Sequence, residues 1–176
     1  MGSFVLLTGA SGAGKTTIAR SVENLTLPNC EVHFFDSIGV PSIEQMRRAF
    51  VAGHEPGGAW QRRMTLQWIK RMRTILDRGI SVLFEGQMRI AFIREALAEN
   101  QITSAHVILL DCDDITRAQR LRVDRFQPDL ANRDMMNWAR YLRREAFAPD
   151  VRILDTGRIP VAECVGVIVK CLTAIH

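Results

Sequence analysis

The chain has 176 residues, a formal net charge of +4, 47% apolar residues and 24% charged ones. Such figures describe an ordinary globular chain of about one domain and exclude a disordered, collagen-like or disulfide-stapled protein. No apolar run approaches the roughly 20 residues of a membrane-spanning helix, and the four cysteines, at 30, 112, 164 and 171, lack metal-ligand spacing and read as reduced, buried thiols.

The first apolar run, 4–8, reads as a strand that stops at Gly9. Met1 leads almost directly into it, so no leader segment is expected and the chain is placed in the cytoplasm. Residues 15–25 have helical character, and 32–35 form a second strand closed by Asp36. A helix is expected over 42–51 after Pro41, followed by a loop over 53–58 with its Gly-Gly and Pro. Apolar residues at 60, 64, 68, 72, 75 and 76 predict a helix over 59–78, with Gly79 at its C-terminal cap.

A third strand, 80–84, ends in Glu85-Gly86, and 92–98 is helical. The fourth strand, 105–110, runs into Asp111, Asp113 and Asp114, which suit the N-terminal cap of a helix continuing to about 125. A polar loop over 126–133, a helix over 134–147, a fifth strand over 151–154 and a closing helix over 162–175 complete the chain. Five short apolar strands alternating with helices predict an α/β fold, a three-layer αβα sandwich around a five-stranded parallel sheet, over a single domain spanning 1–176.

Gly9-Ala10-Ser11-Gly12-Ala13-Gly14-Lys15-Thr16 fits GxxxxGK[ST] at every fixed position, with an apolar strand before it and a helical pattern after it. The glycines let successive N–H groups converge on one point at a helix N-terminus, a nest for phosphate oxygens that Thr17 extends. Lys15 is expected to reach the outer phosphates and the Thr16 hydroxyl to ligate Mg²⁺, so ATP and Mg²⁺ are the expected cofactors. This motif resembles the P-loop NTP-binding proteins and predicts their fold.

Phosphoryl transfer needs an acid that organises metal and a group that orients the nucleophile. Glu85 ends an apolar strand and is the candidate for holding Mg²⁺, while Asp36 is the candidate base for an acceptor hydroxyl; the less favoured alternative for each is a helix cap or a surface acid at a strand end.

Glu85-Gly86-Gln87-Met88-Arg89 resembles the D-G-F-P-R segment of adenylate kinases, which implies a substrate contact for Arg89. The positive charge lies in two blocks, 47–78 with eight Lys/Arg against two acids and 115–145 with eight Arg against four acids. The block at 115–145 resembles the lid of nucleoside monophosphate kinases and of shikimate- and gluconate-kinase-like enzymes, approximately 117–140. That likeness gives Arg122 and Arg125 a catalytic role, Arg120 a nucleotide contact and Arg133 a substrate contact. Arginine suits the task because it stays charged and grips phosphate in a bidentate way.

Gly157 and Arg158 sit in a turn that resembles the loop backing the adenine ring. Helices at approximately 41–78 would shape the acceptor site, with Arg62 as a substrate contact, although Trp60, Met64, Trp68 and Met72 also read as a buried stripe. Asp36-Ser37-Ile38-Gly39-Val40-Pro41 departs from the T-G-D-x-x-R segment of adenylate kinases and is more similar to the small-metabolite kinases.

The resemblance implies a small ATP-dependent kinase acting on a nucleotide or a hydroxylated metabolite, as monomer or homodimer, with no membrane partner. Two other readings stand beside it: a nucleotide-binding regulatory ATPase acting on a protein partner, and a polynucleotide 5′-hydroxyl kinase using both basic blocks. Without an RNP-type aromatic motif or zinc spacing, nucleic acid is the less expected partner.

Overall fold

In a computed structural model, residues 1–38 and 58–174 are described. The helix expected over 42–51 and nearly all of the loop over 53–58 lie outside them, as do Arg47 and Arg48 of the first basic block.

Five strands, β1 (Phe4–Thr8), β2 (Cys30–Phe34), β3 (Ser81–Glu85), β4 (His106–Asp111) and β5 (Val151–Asp155), form one sheet in the order β2-β3-β1-β4-β5. Every neighbouring pair is parallel. The register aligns Leu7 and Phe34 with Glu85, Thr8 with Leu109, and Asp111 with Asp155. Chain reversals at this common C-terminal edge are where an open parallel sheet collects its ligand-binding loops.

Side-chain alternation in the strands divides the interior in two. Phe4, Leu6, Val82, Phe84, Val107 and Leu109 face helices α2 (Gly58–Leu76), α3 (Ile90–Glu99) and α5 (Arg133–Glu145), which bring Ile69, Met72, Ile93 and Leu142 to that face. Val5, Leu7, Leu83, Ile108 and Leu110 face α1 (Lys15–Glu23) and α6 (Val161–Thr173), which bring Ile18, Val22, Ile168 and Leu172. A strand buried on both faces must be apolar at every position, which is why β1 shows no polar alternation. The expected buried stripe holds in part: Trp68 and Met72 are core residues, while Trp60 and Met64 are half-buried against them.

The helix expected from 114 to about 125 is shorter and changes pitch. Asp113 caps α4 (Asp114–Gln119) by accepting from Thr116 N at 2.8 Å. The chain then widens into a π-turn over Arg120–Asp124, where Arg125 N donates to Arg120 O, five residues back, at 3.0 Å. Asp111 is not a cap; it is a buried strand-end acid paired with arginines of two helices. Among the described residues no helix is long and apolar enough to cross a membrane, and the four cysteines are free thiols.

The loop after β3 is fixed tightly. Gly86 N donates to Leu7 O at 3.0 Å, and Thr8 Oγ1 donates to Met88 O at 2.5 Å while accepting from Met88 N at 3.1 Å. A Cβ on Gly86 would stand 2.4 Å from Phe35 Cβ, and Phe35 is held by stacking on Phe84 and an edge contact with Trp60. Gly86→Ala is therefore expected to destabilise the protein by about 1–3 kcal/mol, read as a lower urea midpoint; a wild-type midpoint would show that Phe35 moves aside freely.

Candidate functional site

Between β1 and α1 the chain makes the phosphate-type loop predicted from its glycines. Gly12 has φ 80° and Gly14 φ 89°, left-handed values that residues with a Cβ rarely adopt. Gly14 caps α1 with no side-chain acceptor, which leaves the first N–H groups of that helix open to an anion.

Lys15 opens α1 and is only 8% exposed. Its Nζ donates to Ala10 O at 3.3 Å. Burial lowers its pKa to about 8, against the opposing pull of Glu85 and Asp36 and with help from Arg125 and Arg117. Glu85, at the end of β3, is 6% exposed and accepts from Thr16 Oγ1 at 3.2 Å. Burial pushes its carboxyl above the usual range; Asp36 adds to that, and Lys15, the Thr16 hydrogen bond and Arg125 oppose it. Asp36 stands exposed in the 3₁₀ turn Phe35–Ile38 that follows β2. Thr16 and Glu85 are joined by a hydrogen bond, and Lys15, Asp36 and Arg125 lie within electrostatic range of Glu85.

A cavity of about 400 Å³ lies at the start of α1, lined by Gly12, Gly14, Lys15, Thr16 and Thr17 together with Arg120 and Arg125. Thr156 closes one wall: Arg120 donates to its Oγ1 at 2.8 Å and to its carbonyl at 2.7 Å. The π-turn explains why Arg120 and Arg125 share this cavity, since five residues make one turn there. Arg122 instead lines a surface groove with Ile115, Ala118 and Val123.

The other residues singled out by sequence have their own partners. Ser11 Oγ donates to Gln87 Oε1 at 3.1 Å, tying the loop to the segment after β3. Gly157 N donates to Asp155 Oδ1 at 2.9 Å, and Arg158, 88% exposed, stands 3.4 Å from Asp155 Oδ2. Arg62 grips Glu95 through Nε and Nη2 at 2.5–3.0 Å on the surface between α2 and α3. Arg89 donates to Glu145 Oε1 at 2.6 Å; Glu145 also accepts from Ile90 N and Tyr141 Oη at 3.0 Å and so takes the place of an N-terminal cap for α3. Arg133 is exposed at the start of α5. Arg62 and Arg89 thus pair with carboxylates of the chain itself, and the cluster at Glu85 is built without them.

Three further residues shape the site. Gln61 clamps the post-β3 segment, donating from Nε2 to Gln87 O at 2.7 Å and accepting from Arg89 N at 3.0 Å. Thr156 Oγ1 lies 3.0 Å from Ala13 O and so touches the loop from β5's end. Arg117 reaches Ser11 O at 2.9 Å from below. None has a motif of its own; only tertiary packing brings them to the loop.

A five-stranded parallel sheet in this order, with a GxxxxGKT loop after its first strand, is the fold of the P-loop small-molecule kinases. Among solved structures, a sugar kinase from a Janibacter species matches over 100% of both chains with TM-score 0.71 and 22% identity. A shikimate kinase from Acinetobacter baumannii, in complex with shikimate, matches over 96% of this chain and 91% of its own with TM-score 0.56 and 21% identity. A gluconokinase from Sinorhizobium meliloti matches over 97% and 89% with TM-score 0.59 and 15% identity. No protein-family model matches the sequence, and a comparison with curated proteins gives no match.

Proposed function

We propose that the protein is an ATP-dependent phosphotransferase that moves the γ-phosphoryl group of ATP to a hydroxyl of a small-molecule acceptor. The observation that carries this reading is the hydrogen bond from Thr16, which lines the cavity beside Lys15, to Glu85, with Asp36 in electrostatic range of both Lys15 and Glu85. Binding a nucleotide requires the first three; an exposed fourth group beside them suits the removal of a proton from an acceptor.

The residues present fit ATP and Mg²⁺. The cavity includes a helix N-terminus without a side-chain cap, and among the described residues its lysine hydrogen-bonds a backbone carbonyl of the loop. When bound, ATP supplies the phosphoryl group and Mg²⁺ neutralises charge on its outer oxygens. Backbone N–H groups of 9–14 and the first turn through Thr17 hold phosphate, and Lys15 adds a fixed positive charge. The Thr16 hydroxyl and Glu85 carboxylate hold the cation. Two protein groups suffice for an ion that usually keeps several waters and shares phosphate oxygens. Arg120, Gly157 and Arg158 take the nucleoside end. Arg125 and Arg122 belong to a lid over approximately 117–140, Arg125 facing the transferring group, and closure excludes water. Asp36 orients the acceptor hydroxyl and receives its proton, with Arg133 on the acceptor side. The cytoplasm, where free thiols stay reduced, is the compartment assigned.

A coupled ATP-to-ADP assay across nucleoside monophosphates, nucleosides, sugars, sugar acids, shikimate-type acids and antibiotics tests the proposal. One acceptor class is expected to raise ADP release well above the acceptor-free rate. ADP release that no acceptor changes would favour the regulatory ATPase. Acceleration by 5′-hydroxyl oligonucleotides with steep salt dependence would favour the polynucleotide kinase.

A further inference from the structure

The phosphate loop is held from outside by a chain of charges that begins on a different helix. Arg117 of α4 is fully buried, and its Nη1 donates to Ser11 O at 2.9 Å. Its Nη2 donates to Asp111 Oδ1 at 2.6 Å and to Cys112 O at 3.2 Å. Asp111, itself 4% exposed, gives its other oxygen to Arg143 Nε of α5 at 2.5 Å. One buried carboxylate therefore carries two guanidinium groups from two helices.

In a planar trans peptide the carbonyl of one residue and the N–H of the next point in opposite directions. Arg117 lies beneath the loop, outside the lining of the cavity, so holding Ser11 O toward it turns the Gly12 N–H toward the cavity that Gly12 lines. The close approach of Arg117 needs glycine at position 12, because a Cβ there would meet Arg117 Cγ at 3.1 Å and Arg117 O at 3.2 Å. A buried ion pair adds little net stability over well-packed apolar side chains, and among the described residues the Nε–H of Arg117 has no hydrogen-bond partner. What the arrangement supplies is direction.

We infer that Arg117 is a positioning residue for phosphate binding: fixed by Asp111, it sets the Gly12 N–H toward the phosphate, and Arg143 makes that setting depend on the seat of α5. The inference rests on residues 9–16 being the phosphate site. The segment assigned as the lid, approximately 117–140, runs into α5, so displacement of α5 would loosen Asp111 and, through Arg117, the loop.

The test uses the full chain with two probes, ADP·Mg²⁺ and inorganic tripolyphosphate, by calorimetry, together with the Gly12 amide resonance. Arg117→Met is expected to raise Kd for both probes about tenfold or more, and Arg143→Met about threefold, as expected for losing or loosening a charged hydrogen bond that fixes a donor. On adding ADP the Gly12 amide proton is expected to move downfield in the wild type and less so in both variants, a change that a loss of packing alone would not single out. Arg143 is half-exposed, so Arg143→Met decides the matter even where Arg117→Met fails to fold. Arg94→Met, which removes a surface pair with Asp150, serves as the control and should leave both affinities unchanged. Unchanged tripolyphosphate affinity and an unchanged Gly12 shift in Arg143→Met would overturn the inference. A wild-type protein that binds neither probe would instead overturn the phosphate-site reading beneath it.

Discussion

Lys15→Ala is expected to lower kcat/KM for ATP by about three orders of magnitude or more, because a buried cation aimed at developing phosphate charge acts in a low-dielectric site where water cannot replace it. Its cost in the free protein is visible in its proton affinity. Burial holds the Lys15 pKa at about 8, far below the ordinary lysine value of 10.5. Between those values the unfolded chain binds more protons than the folded one, so stability rises with pH through that window, and below about 8 the full cost of burying the charge is present. Lys15→Met should therefore melt at the same temperature as the wild type or higher at pH 7, while losing transfer. Phosphate bound beside Lys15 raises its pKa again, so nucleotide binding near pH 8 should take up a proton, read as a binding heat that depends on the buffer's ionisation enthalpy. Unchanged ATP affinity in Lys15→Ala would show that the loop is not the phosphate site.

This part of the molecule was legible because its requirements are local. A nest of N–H groups needs glycine at set positions, and a lysine and threonine follow at fixed distance along one helix turn. The sheet was legible for a similar reason: strands covered on both faces carry apolar residues at consecutive positions, as Phe4–Leu7 of β1 and Val107–Leu110 of β4 do.

The arginines were not legible. Arg62, Arg89 and Arg143 find their carboxylates 33, 56 and 32 residues away along the chain, so no local spacing reveals that they are paired. Arg117 is the fully buried arginine of its block, held there by Ser11 O, Asp111 and Cys112 O, partners its neighbours in sequence do not reveal. Arg120 and Arg125 share a face only because the helix widens into a π-turn, which regular helical spacing does not anticipate.

The two carboxylates at the reacting end divide the work differently, and their variants should separate it. Asp36 is exposed within the turn Phe35–Ile38 and acts on Lys15 and Glu85 through the field. Asp36→Asn keeps the shape and removes the base, so kcat is expected to fall by about 10²–10⁴ with KM for ATP little changed. Glu85 is buried against Thr16 and would act on the cation. Glu85→Gln is expected to raise the Mg²⁺ concentration needed for half-maximal rate, with part of the rate recovered at saturating Mg²⁺, which Asp36→Asn should not show. Burial raises the Glu85 pKa, and only its ionised form can hold Mg²⁺, so the acid limb of the wild-type rate profile should lie above the range of an ordinary carboxylate. That limb should shift or vanish in Glu85→Gln and persist in Asp36→Asn. A Mg²⁺ dependence altered by Asp36→Asn but not by Glu85→Gln would exchange the two roles, because the cation would then be held at the exposed turn and the proton taken at the strand end.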